Sequence, residues 1–129
     1  MAFFNIMGWN MKKINIIKEN REYSRIIKTC RYYKSNYYVI YKENTKPDDI
    51  YKFGISIGKK VGKAVYRNKI KRRIKNILDK KVYKNGFKCI IIVKKRINEL
   101  SYKEMENELN LILERIDIVK GERYEQENN

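Results

Sequence analysis

Residues 52–93, KFGISIGKKVGKAVYRNKIKRRIKNILDKKVYKNGFKCIIIV, decide the architecture. The segment opens with an alternating run in which Phe53, Ile55 and Ile57 share one side, which predicts a strand over 52–58. It closes with FKCIIIV, almost continuously apolar, which predicts a strand over 87–93 covered on both faces. Between them Ile70, Ile74, Ile77, Leu78 and Val82 recur at three- and four-residue steps, the pattern of a helix over 67–82 with one buried stripe. Strand, helix and strand of these lengths make a βαβ crossover if the two strands run parallel.

The same segment carries the charge. From residue 59 to 81 there are eleven Lys or Arg and one acid, Asp79, so +10 of the chain's formal +16 sits there. Lys69, Arg72, Arg73, Lys75 and Lys80 fall off the apolar stripe and are displayed. A solvated helix face mixes signs; this one does not, and its cations repel one another unless an anion neutralises them. A pI of about 9.8 therefore points to nucleic acid as partner, ahead of an anionic membrane. Gly54, Gly58, Gly62 and Lys63 do not make a nucleotide phosphate loop: the spacing is one residue short, and Ala64 stands where the magnesium-binding hydroxyl belongs. Gly58 and Gly62 instead let the chain turn and approach a partner's backbone. At the start of the helix, Arg67 offers a planar fork and Asn68 both donates and accepts. Asn68 is equally readable as a simple N-cap.

Working outward, Tyr23, Ile26, Ile27 and Cys30 predict a helix over 20–33 that Asn20 can cap. YYVIY predicts a strand over 37–41, and ENTKPDD is turn chemistry containing the single proline. Together these give a strand–loop–strand hairpin over 37–58, with Asp48 and Asp49 as turn formers rather than a metal pair. Ser101 and Glu104 form a capping box, and the apolar positions from Tyr102 to Val119 continue it as a helix over 101–119 with an acidic outer face. The order helix–strand–strand–helix–strand–helix reads as one α+β domain over 11–119, an α/β two-layer sandwich of helices on a small mixed sheet. Residues 1–10 read as a flexible extension; they lack the basic start and the cleavage site of a signal peptide, and Met11 offers a second start. Residues 120–129 read as a polar tail. Nothing approaches the roughly 20 apolar residues of a membrane span. Two distant cysteines, Cys30 and Cys89, suit a reduced cytoplasmic protein. The chain has no histidine, which removes the commonest general base and metal ligand and excludes two-histidine RNA cleavage.

The stretch KKVGKAVYRNKIKRR at 59–73 resembles the signature of the protein subunit of bacterial ribonuclease P: a basic pair, a glycine-containing turn, Ala-Val, then Arg-Asn-Arg with further cations. The similarity covers roughly 12–119, including the early Lys-Lys, the N-x-x-aromatic helix start, and the Ser-Tyr-x-Glu opening of the last helix. Lys69 replaces the second arginine, keeping charge and losing the fork. The resemblance implies a protein that binds a large catalytic RNA and the single-stranded 5′ leader of precursor tRNA, with magnesium-dependent hydrolysis carried out by the RNA. It implies a left-handed βαβ crossover, against the usual right-handed preference. It assigns the catalytic RNA to Lys59, Lys60, Lys63, Arg67, Asn68, Lys69, Lys71, Arg72, Arg73 and Lys75, and no catalytic or metal-ligating residue to the protein. Mg2+ belongs to the holoenzyme and is held mainly by RNA; no membrane and no protein partner is required. Tyrosines beside cations suit a single strand, and the leader is assigned to Tyr23, Ile27, Tyr37 and Tyr41, although ordinary packing also accounts for such tyrosines. Ile27 stands where the family often has a second aromatic. The rival reading is a structural RNA-binding protein of ribosomal type; a DNA- or membrane-binding module has no recognition turn or apolar face to support it.

Overall fold

The computed structural model describes residues 13–122. Its centre is β5 (Phe87–Val93), the most continuously apolar run of the chain. Such a strand is stable only with both edges paired and both faces covered. β2 (Tyr38–Asn44) pairs with it antiparallel, Tyr38 opposite Val93 and Asn44 opposite Phe87. β3 (Lys52–Ile57) pairs with its other edge in parallel, Gly54 opposite Ile90 and Ile55 opposite Ile91. β1 (Tyr32–Lys34) adds to the outer edge of β2, giving the order β1-β2-β5-β3.

The expected hairpin over 37–58 is thus corrected. β2 and β3 are consecutive in sequence, but β5 lies between them. Their alternating patterns mark them as strands without naming a neighbour, and the all-apolar strand takes the inner place. The expected crossover is present: β3 and β5 are adjacent and parallel, joined through α2 (Ala64–Asp79). This helix starts three residues earlier than its apolar stripe suggests. Its stripe of Ile70, Ile74, Ile77 and Leu78 is buried. It stops before Val82, because Lys81–Tyr83 forms a short strand, β4, against β6 (Val119–Glu122). The Tyr83 hydroxyl donates to the Leu78 carbonyl at 2.6 Å and closes the helix end. Residues 120–122, expected in the polar tail, therefore belong to a strand; the rest of that tail and the expected extension over 1–10 lie outside the described residues.

α3 (Tyr102–Arg115) has the expected capping box: the Glu104 amide donates to Ser101 Oγ at 3.2 Å, and the Ser101 amide donates to Glu104 Oε1 at 2.9 Å. Asp117, with φ of 57°, turns the chain from α3 into β6, so the helix ends short of residue 119. α1 (Asn20–Thr29) also ends early, since Tyr32 and Tyr33 are better served in the edge strand. Glu19 rather than Asn20 occupies its N-cap.

Alternation along the strands divides the sheet into two faces. One face, with Phe53, Ile55, Tyr38, Ile40, Cys89 and Ile91, packs on α2 and α3 and holds the main core. The other carries α1 on a small cluster of Ile17, Ile26 and Ile90. An ion network supplements that small seat. Arg25 on α1 bridges Glu43 on β2, and Lys88 on β5 bridges Glu22 on α1; Glu43 and Lys88 are themselves cross-strand partners. The hydrogen bond from Lys88 holds the Glu22 carboxyl below its ordinary value, and that from Arg25 does the same for Glu43.

A depressed carboxylate contributes stability that is full above its unfolded pKa and lost as pH falls through its folded one. The thermal midpoint therefore drops by several degrees from about pH 6 to about pH 3. Glu43→Gln lowers the midpoint at the upper pH and makes the acid-induced drop smaller, which calorimetry across that range reads directly.

Candidate nucleic-acid interface

β3 runs out at Ile57, and the basic loop begins. Lys59–Val61 forms one 3-10 turn whose Val61 is buried, so the turn is anchored while Lys59 and Lys60 stay exposed. Asn98 Nδ2 donates to the Val61 carbonyl at 3.0 Å and pins the loop from the far side. Gly62 follows in extended conformation. Its role is space: a Cβ there would lie 2.7 Å from Cδ2 of Tyr66, whose ring rests on the bare backbone. Arg67 Nε donates to the Gly62 carbonyl at 3.0 Å. One nitrogen of the guanidinium is thereby fixed, and the other two remain available as a fork for phosphate.

The Arg67 amide makes a helical bond to the Lys63 carbonyl at 2.9 Å, so Lys63 is the N-cap of α2 and the alternative of Asn68 as an N-cap falls. Arg67, Lys71 and Lys75 follow one another at four-residue steps along one line of the helix, with Asn68 and Arg72 beside it. Lys69 and Arg73 lie on the opposite flank of the apolar stripe. Burial, and then the neighbouring Lys71, push the Lys75 ammonium below its ordinary value.

A cavity of about 710 Å³ opens between α1, β3 and the first turns of α2. Tyr23, Ser24 and Ile27 form one wall, and Arg67, Asn68 and Lys71 form the other. Ile55, Ser56 and Ile57 are the floor, and Ile16, Ile17, Lys18 and Asn20 complete the lining. The β3 edge is partly covered, since the Ile17 amide donates to the Phe53 carbonyl at 2.8 Å. No lining residue is a carboxylate. Burial raises the Tyr23 phenol above its ordinary pKa, against a smaller opposing effect of a hydrogen bond with the Ile55 backbone, so it stays neutral. Among the described residues no group of three or more His, Cys, Asp or Glu converges to hold a metal ion. The cleft offers a polyanion cations on one side and an aromatic ring on the other.

Of the residues expected at the leader, the cavity brings together Tyr23 and Ile27. It does not bring Tyr37 or Tyr41 there. Tyr37 packs against the main core with the Arg96 guanidinium 5.8 Å from its ring centre. Tyr41 lies on the α1 face beside the Ile17–Ile26–Ile90 cluster, its ring 5.6 Å from that of Tyr32. Of the residues expected at the catalytic RNA, Arg67, Asn68 and Lys71 line the cavity; Lys59, Lys60, Lys63, Lys69 and Arg72 are exposed outside it, and Arg73 and Lys75 are half-buried. Pattern reading missed Ile16, Lys18, Gly54 and Ser56. It also missed Lys95 and Arg96, in the 3-10 turn packed beside the basic loop. The cationic run VKKR directly after the apolar strand was the available signal.

Comparisons with known proteins agree with one another. The model of the family Ribonuclease P matches residues 11–117. The ribonuclease P protein component of Mycoplasma capricolum is 37% identical over 109 residues, covering 82% of this chain and 99% of the relative. That of Bacillus mycoides is 33% identical, covering 81% and 93%. Among solved structures, a mutant RNase P protein from Staphylococcus aureus, described as defective in mRNA degradation activity, superposes with a TM-score of 0.75 at 29% identity, covering 92% of this chain and 98% of that one. The RNase P protein from Thermotoga maritima gives 0.70 at 26%, covering 78% and 96%. With a family match that spans most of the chain and relatives matched over nearly their whole length, this chain belongs to the ribonuclease P protein family.

Proposed function

We propose that the chain is the protein subunit of a ribonucleoprotein ribonuclease P that binds the catalytic RNA and the 5′ leader of precursor tRNA. The observation that carries this reading is the carboxylate-free cavity lined by Tyr23 on one side and Arg67, Asn68 and Lys71 on the other. α2 and the loop before it meet the catalytic RNA. The leader enters the cavity unpaired, its phosphates toward the cations and a base toward Tyr23.

The protein contributes no general acid or base to the reaction, consistent with a chain that has no histidine. Hydrolysis and its Mg2+ belong to the RNA, since the cavity wall offers cations rather than carboxylates to a metal ion. Lysine and arginine charge screens the repulsion between leader and catalytic RNA and so lowers the magnesium the assembly needs. Two free cysteines suit action in the cytoplasm.

The test is leader release from a precursor tRNA by a bacterial ribonuclease P RNA at low magnesium, with and without the protein. The protein should stimulate cleavage, and Arg67→Ala/Asn68→Ala should reduce that stimulation by at least about tenfold, as expected for losing charged hydrogen bonds to phosphate. Tight RNA binding without any stimulation would sink the processing role and favour a structural protein of ribosomal type.

A further inference from the structure

We infer that Gly54 is a positioning residue for the leader: it is the bare patch of sheet against which Tyr23 lies in one pose, so that the cleft stacks a single leader base. The inference rests on the leader reading above. Gly54 sits inside regular pairing, opposite Ile90, and among the described glycines only Gly86 lies in the left-handed region that favours glycine. No backbone requirement therefore calls for glycine at this point of β3, and a glycine inside a strand weakens it. What it provides is close approach. A Cβ at Gly54 would lie 2.5 Å from Tyr23 Oη, 2.6 Å from Cζ and 2.9 Å from Cε1, nearer than real side chains come.

In the same cross-strand row, Tyr41 and Ile90 carry side chains that fill the space beneath α1. At Gly54 the Tyr23 ring fills it instead. One helical turn on, Ile27 lines the same wall but has no π face to offer. One fixed ring and one aliphatic neighbour make a platform for one base.

The experiment uses the reconstituted holoenzyme with precursor tRNAs carrying one abasic nucleotide at successive leader positions, and mature tRNA beside them. Wild type should show one position at which the missing base weakens binding about tenfold. Gly54→Ala and Tyr23→Ala should each abolish that position dependence and lower precursor affinity by about the same tenfold, while affinities for mature tRNA and catalytic RNA stay unchanged. Gly54→Ala/Tyr23→Ala should bind no more weakly than Tyr23→Ala, because the glycine acts only through the ring. Should Gly54→Ala fail to fold, the double variant decides: folding and binding like Tyr23→Ala supports the inference, and failing to fold overturns it. A Gly54→Ala holoenzyme that keeps the single sensitive position also overturns it, as does a further tenfold loss in the double variant. A wild type that binds precursor and mature tRNA equally overturns the leader reading and this inference with it.

Discussion

Raising monovalent salt from about 50 to about 200 mM weakens binding of the catalytic RNA by roughly a thousandfold. The figure follows from counterion release. α2 presents Arg67, Lys69, Lys71, Arg72, Arg73 and Lys75 within nine residues, none of them on the buried stripe. If each neutralises one phosphate, log affinity falls with log salt at a slope of about −5, and a fourfold rise in salt costs about three orders of magnitude. The loop cations Lys59, Lys60 and Lys63 steepen the slope further. Filter binding across four salt concentrations measures it, and each Lys→Ala or Arg→Ala on α2 should lower the slope by about one. A slope near zero would show that these cations do not meet phosphate. Binding this dependent on salt is sequence-tolerant by nature, so selectivity must come from the shape of the RNA and from the cleft.

Phe53→Ala destabilises the protein by about 3–5 kcal/mol. Phe53 is fully buried at the parallel edge of the sheet. Its ring lies 4.9 Å from that of Tyr83, 5.4 Å from Phe87 and 5.9 Å from Tyr51. Removing it opens a cavity among three rigid rings that cannot collapse. Domains of this size are stable by only about 5–15 kcal/mol in all, so the urea midpoint falls by about 2 M. Function should fail with it. The Phe53 carbonyl accepts from the Ile17 amide, and Gly54 and Ile55 next along the strand carry the Tyr23 ring and the cavity floor. Val65→Ala is the control: Val65 is 82% exposed, and its loss should change stability by less than about 0.5 kcal/mol.

Helices with a clean stripe were legible from the chain alone. Ile70, Ile74, Ile77 and Leu78 are all buried, and Ser101 with Glu104 caps as its spacing requires. Legibility failed where partner choice or local competition decides. Alternation in β2 and β3 says that each is a strand, but not that β5 comes between them. Tyr32–Lys34 and Val119–Glu122 are too short for a period to show, and each is a strand only because another strand is there to pair with it. The site divides in the same way. Arg67, Asn68 and Lys71 announce themselves by type and density, and Tyr23 by its helical place. Tyr37 and Tyr41 share that residue type, yet Tyr37 stands just before β2 and packs on the main core, while Tyr41 lies within the strand on its α1 face. Gly54 carries no chemical signal, because what matters there is an absent side chain.

The place of β5 bears on how the protein emerges from the ribosome. Synthesis is vectorial, and the strand that joins β2 to β3 is made after both of them and after α2. Until residue 93 is released, β3 has no partner along its inner edge, and α1 lacks Ile90 beneath it. The nascent chain thus displays the whole cationic segment of α2 before the wall and floor of the leader cavity can come together. In the proposed role, the catalytic RNA can capture this protein while it is still being translated, whereas its tRNA substrate has to wait for the finished sheet.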